Sequence, residues 1–150
     1  MRKYKLEFQI WGLILFLTIM LPNCIWFLVP APHDILRNQS VTPVIDTIGS
    51  VCQILFVAAL CIVKRNDMSK RNKYPYTAAV VASIALYYAG WVAYYMGETN
   101  AVVSLVLAIA PCAAFAFYTL HRKNMIALLP LIGFTICHIL YAVLNFLMIH

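Results

Sequence analysis

The sequence predicts an all-α integral membrane protein, a single bundle of about five transmembrane helices with the N-terminus in the cytoplasm and the C-terminus outside. Three observations carry that expectation. Of 150 residues, 64% are hydrophobic and only 11% charged, against about 25% charged in an ordinary soluble domain, so a water-exposed fold would lack the polar surface to cover itself. The apolar residues gather in five runs of roughly 20, the length a helix rising about 1.5 Å per residue needs to cross a hydrocarbon core. The basic residues then fall on alternate sides of those runs.

The first span covers about 8–29, after a tail holding Arg2, Lys3 and Lys5. A basic start and an apolar run also describe a signal peptide. This run is longer than a usual signal core, however, and Val29, Pro30, Ala31, Pro32 is no small-residue cleavage site, so it reads as a retained anchor. Pro22 lies inside it and removes a backbone hydrogen bond. The first loop carries His33, Asp34 and Arg37, then an Asn38-Gln39-Ser40 sequon that matters only in a secretory-pathway host.

The second span covers about 43–63, opened by Thr42 as a capping residue and Pro43 at the first helical position. Lys64, Arg65, Lys70, Arg71 and Lys73 follow it. The third span, about 75–97, opens at Pro75. At 100° per residue, Ala82, Ala85, Ala89 and Ala93 fall on one side and Tyr87, Trp91, Tyr94, Tyr95 and Glu98 on the other. The alanine stripe suits close approach of another helix. The fourth span, about 101–120, offers Ala110 and Ala114 as the partner surface, which would place the third span inside the bundle. The fifth covers about 125–149, and Pro111 and Pro130 sit within the last two. Trp11, Trp26, Tyr74, Tyr76, Tyr94 and Tyr95 lie near expected interfaces, where amphipathic rings belong. No internal repeat divides the chain, and hardly anything lies outside the spans, so residues 1–150 form one domain.

Ten of the eleven lysines and arginines fall in the tail, second loop and fourth loop, with only Arg37 opposite. Cytoplasmic loops accumulate such residues, hence the orientation and a multi-pass location in the cell membrane, expected to be a bacterial cytoplasmic membrane. The formal charge of +6 suits anionic lipid headgroups. Bases interrupted by apolar spans do not line a groove for nucleic acid, which is excluded as a partner.

Cofactors and metals are not expected. The five cysteines, Cys24, Cys52, Cys61, Cys112 and Cys137, all lie in spans without CxxC spacing and read as small buried hydrophobes. His33, Asp34, Glu98 and His150 are spread over three segments, which does not favour a metal centre. His138 is the only histidine deep in a span, so two-histidine haem ligation has no second ligand. No glycine-rich phosphate loop is present. No serine or cysteine has an evident base and orienting acid, so no catalytic residue is assigned and an enzyme is the less favoured class.

Polar side chains inside spans are informative, because each needs a partner in lipid. Asp46, Gly49, Ser50 and Gln53 share one arc of the second span, and Thr135, His138, Tyr141 and Asn145 one arc of the fifth. At about 1.5 Å per residue, Asp46 and Asn145 come at matching depth near the outer interface, and Gln53 and His138 near the midplane. Asn23, Tyr87, Trp91 and Tyr94 lie in the same outer half. Together they predict a polar, aromatic-walled ligand site open to the outside, where Asp46 or His138 could carry a proton. Each residue also has a structural alternative. Asp46 could serve the first helical turn, His138 could bond Gln53 across helices, Asn23 could satisfy groups freed by Pro22, and the aromatic face could be core packing.

The segment Pro22, Asn23, Cys24, Ile25, Trp26 continuing to Pro30, Ala31, Pro32, His33, Asp34 resembles a pattern in small uncharacterised five-span bacterial membrane proteins. That resemblance implies no activity and transfers no residue role. In size, span number and aromatic content the chain is also similar to the translocator/tryptophan-rich sensory protein family, five-helix bundles that bind porphyrins and sterols. It lacks their tryptophan-rich, proline-paired loop pattern, so no function is carried across.

The leading functional expectation is binding or transport of a small solute or lipophilic ligand through that outward-facing site. The alternative is an accessory or regulatory subunit of a larger membrane complex, its partner being a second copy or another membrane protein.

Overall fold

The computed structural model describes residues 4–65 and 74–147. Arg2, Lys3, Lys70, Arg71, Lys73, His150 and the last residues of the expected fifth span lie outside the described residues. Among the described residues five helices are long and apolar enough to cross a membrane, which marks the chain as a multi-pass membrane protein. They are α1 (Ile10–Leu28), α2 (Pro43–Ile62), α3 (Tyr74–Tyr95), α4 (Ala101–His121) and α5 (Met125–Ala142), the last continued by a π-helical turn, Val143–Leu147.

Helix ends follow local chemistry. Asn100 and Asn124 cap α4 and α5, their side-chain oxygens accepting from Val103 N at 3.0 Å and Ala127 N at 3.2 Å. α3 ends in a Schellman turn: Gly97 takes φ 94°, Glu98 N donates to Ala93 O at 3.1 Å and Gly97 N to Tyr94 O at 3.0 Å. The same pattern ends α4, with Asn124 N on Thr119 O and Lys123 N on Leu120 O, both 3.0 Å. There the left-handed residue is Lys123, φ 51°, where glycine is the usual occupant.

The tail and second loop hold a short antiparallel ribbon, β1 (Tyr4–Leu6) against β2 (Val63–Arg65), with Lys5 opposite Lys64. Glu7 lies between those two lysines and pairs with both. Their hydrogen bonds, Lys5 first, draw its carboxyl down to about 2. Two like charges facing each other across a ribbon repel, and Glu7 offsets that repulsion.

Around the bundle the order is α1, α2, α5, α4, α3, and α4 is the most buried helix. Glycines mark the close seams. A Cβ on Gly12 would lie 2.8 Å from Leu60 O, joining α1 to α2, and one on Gly90 would lie 2.9 Å from Val106 Cγ1, joining α3 to α4. The α2–α5 seam is equally tight at Gly133, where a Cβ would meet Cys52 Sγ at 3.0 Å.

One expectation is reversed. Ala82, Ala85 and Ala89 face outward, while the buried face of α3 is its aromatic side, Tyr87, Gly90, Trp91 and Tyr94. Gly90 rather than the alanine stripe admits α4. Alanine costs little against lipid, whereas a tyrosine hydroxyl needs a partner that the interior supplies, as Asn23 does for Tyr87.

Candidate ligand cavity

All five helices contribute to one central cavity of about 330 Å³. Its walls are chiefly apolar and aromatic, including Phe16, Leu107, Phe115 and Phe134, with polar groups from Asn23, Gln53, Ser104 and His138. That balance of apolar wall and few polar groups, at this volume, is characteristic of small-molecule sites.

The α1 side is shaped by Pro22. Having no N–H, it leaves Thr18 O without its helical donor, and the Tyr88 hydroxyl donates to that oxygen at 2.7 Å. One residue further on, Asn23 Nδ2 donates to Ile19 O at 3.2 Å and to the Tyr87 hydroxyl at 2.7 Å. Tyr95 adds a third crossing, its hydroxyl on Val29 O at 2.6 Å. α1 and α3 are thus bridged by tyrosines.

The first loop forms one end of the cavity. Its single 3₁₀ turn, Ile35–Arg37, points Leu36 into the lining beside Trp26. Asp34 holds the turn: its carboxylate accepts from Trp26 Nε1 at 2.8 Å, from Tyr94 OH at 2.9 Å and from Arg37 Nε at 2.7 Å. The Tyr94 oxygen in turn accepts from Leu36 N at 3.2 Å. Arg37 completes the clamp from outside. It reaches Trp26 O at 2.5 Å and Phe27 O at 3.3 Å, and stacks 4.7 Å from the Trp26 ring centre. A cation on the terminal carbonyls of α1 is also where the helix dipole favours it. Burial alone would raise the Asp34 carboxyl, but the donors from Trp26, Tyr94 and Arg37 outweigh it and hold it below the ordinary carboxylate range.

The expected site residues separate into four groups. Asn23, Gln53, Tyr87, Trp91, His138 and Tyr141 line the central cavity. Asp46 lies with Gln53, His138 and Tyr141 along a second groove, about 280 Å³, between α2 and α5. Tyr94 belongs to the Asp34 clamp, and Asn145 to a tie between chain segments: its Oδ1 accepts from Val41 N at 2.8 Å and its Nδ2 donates to Thr42 Oγ1 at 2.9 Å. Thr42 does not cap the N–H groups of α2 with its side chain; its hydroxyl instead donates to Asp46 Oδ1 at 3.1 Å. Asp46 and Asn145 therefore share Thr42 as a partner.

His138 and Gln53 share the cavity wall, yet no hydrogen bond joins them among the described residues. The imidazole stacks on Phe134 instead, 5.0 Å between centres at 19°. Asp34, Arg37 and Trp26 were not expected to shape the site. Asp34 and Trp26 stand in the loop and span end that carry the sequence resemblance, but the partner Tyr94 lies 60 residues away and no spacing rule links them. Among the described residues no group of three or more His, Cys, Asp or Glu side chains is placed to hold a metal ion. Compared with protein-family models, curated proteins and solved structures, the chain matches none.

Proposed function

We propose that this protein binds a small, mostly apolar ligand in the cavity enclosed by its five helices. The carrying observation is that every helix lends side chains to one cavity of about 330 Å³ whose walls are largely apolar. Asn23, Gln53, Ser104 and His138 supply orientation rather than charge. Transport of the same ligand is an extension of this reading. The basic loops support an N-terminus in the cytoplasm and a C-terminus outside; on that reading the Asp34 clamp belongs to the outer face. A bacterial cytoplasmic membrane is the proposed location.

Thermal unfolding of the detergent-solubilised protein against a panel of neutral lipophiles tests the reading. A ligand at a hundred times its Kd stabilises by about 2.7 kcal/mol. Ala108→Phe, at a buried position on the cavity wall, should abolish the shift. If no compound shifts the transition, or the shift survives Ala108→Phe, the cavity is not a binding site.

A second reading, membership of a larger membrane assembly, is supported by the outward-facing Ala82, Ala85 and Ala89. Small residues on a lipid-exposed face permit close helix approach. Replacing Ala85 with Leu would then dissociate a complex visible in mild detergent, and a chain that is monomeric throughout excludes it.

A further inference from the structure

We propose that the cavity is loaded sideways from the bilayer, through the seam between α1 and α3, by a neutral lipophile. This rests on the ligand-cavity reading and adds the ligand class and its path. Trp91 is where path and cavity meet.

The first argument is packing. At the α1–α2, α3–α4 and α2–α5 seams a Cβ on the glycine would lie 2.8, 2.9 and 3.0 Å from the facing helix. α1 and α3 meet sparsely instead, held apart by Tyr87, Tyr88 and Tyr95, which span the gap by hydrogen bonds. Between those bridges lies an almost wholly apolar groove of about 390 Å³, lined by Pro22 and Ile25 of α1, by Tyr88, Trp91 and Val92 of α3 and by Met96 just after it. Ile25, Val92 and Met96 are exposed on the helical surface that faces lipid. Trp91 lines this groove and the central cavity alike.

The second argument is the other exits. Leu36 and the Asp34 clamp occupy the loop end. At the opposite end Phe56, fully buried, packs 5.0 Å from Phe115 and 5.3 Å from Phe134. The α2–α5 groove shares Gln53, Phe134, His138 and Tyr141 with the cavity. Its helices touch at Gly133 and Cys52, however, and Asp46 stands in it, where a lipophile would have to pass a carboxylate.

The third argument fixes the ligand's charge. Among the described residues no Asp, Glu, Lys or Arg lines either the groove or the central cavity. A charged ligand would be stripped of water on this route with no ion to meet it.

The test uses the chain in proteoliposomes, with its five native cysteines replaced by alanine and Ser104→Cys as a reporter on the cavity wall. N-phenylmaleimide, a neutral lipophile, should label Cys at this position at least tenfold faster than a charged trimethylammonium thiosulfonate. Val92→Trp or, should that variant fail to fold, Ile25→Trp should slow the maleimide at least tenfold. Ile45→Trp, in the α2–α5 groove, should not. Equal rates for the two reagents, no labelling at all, or slowing by Ile45→Trp alone would overturn the path. For the ligand class, undecane should protect the thiol where the decyltrimethylammonium cation does not. Protection by both compounds or by neither would overturn the neutral ligand. An alkane that protects while Val92→Trp changes nothing leaves the cavity reading standing and sinks the path. Slowing by Val92→Trp without protection by any lipophile does the reverse.

Discussion

The hydroxyl of Tyr88 donates to the carbonyl of Thr18 at 2.7 Å, and Thr18 is the residue whose helical donor Pro22 lacks. A proline within α1 and a tyrosine on α3 are therefore one device. Tyr88→Phe should cost about 1 kcal/mol, the worth of a typical intramolecular hydrogen bond. In a Pro22→Ala background, where residue 22 regains an N–H for Thr18 O, the same change should cost distinctly less. A double-mutant cycle in thermal unfolding measures this; equal losses in both backgrounds would show the two residues to be independent.

Asp34 makes the clamp pH-dependent. Its folded carboxyl titrates below the ordinary value because of donors from Trp26, Tyr94 and Arg37, so its stabilisation is complete above the ordinary aspartate range and is lost as pH falls through the depressed value. Asp34→Asn should lower stability by about 2 kcal/mol near neutrality, in the range of charge-assisted bonds at a largely buried site. It should also flatten the acid limb of the stability profile. Thermal unfolding from about pH 7 to about pH 3 provides the check, and an unchanged acid limb would remove Asp34 from the account.

Two glycines should respond unequally to alanine. At Gly12 the obstacle is the Leu60 carbonyl oxygen, backbone that cannot turn aside, whereas at Gly90 it is the Val106 methyl. Gly12→Ala should cost about 1–3 kcal/mol through overpacking and Gly90→Ala less. Denaturation of the two variants side by side decides the order.

Lys123 holds a left-handed conformation, φ 51°, at the end of α4. Lys123→Gly should stabilise the protein by roughly 0.5–1 kcal/mol, since glycine adopts that conformation without steric cost. A lower transition temperature for the variant would mean that the lysine side chain contributes more than its backbone strain costs.

Much of the frame was legible because hydropathy and length act on contiguous residues. Five apolar runs are expected and, among the described residues, five helices long and apolar enough to cross a membrane are present. The orientation of α3 was not legible. Its alanine and aromatic faces are both credible packing surfaces, and which one turns inward depends on Gly90 meeting Val106 and Leu107. Nor was the Asp34 clamp, which joins a loop carboxylate to Tyr94 across 60 residues. Residues such as Asn145 look like ligand groups because lipid makes any polar side chain conspicuous, yet Asn145 meets Val41 and Thr42 instead.

The partnership of α2 with α5 bears on how the chain is made. α5 follows two complete spans after α2, so Asp46, Ser50 and Gln53 are synthesised well before the helix that flanks them. Asp46 and Ser50 meet that interval with partners on their own segment, since Thr42 Oγ1 donates to Asp46 Oδ1 and Ser50 Oγ to Asp46 O. Gln53 is the group that waits for α5, and a chain cut after α4 would leave it without the helix that shares its groove, at the cost an unpaired polar side chain carries in hydrocarbon.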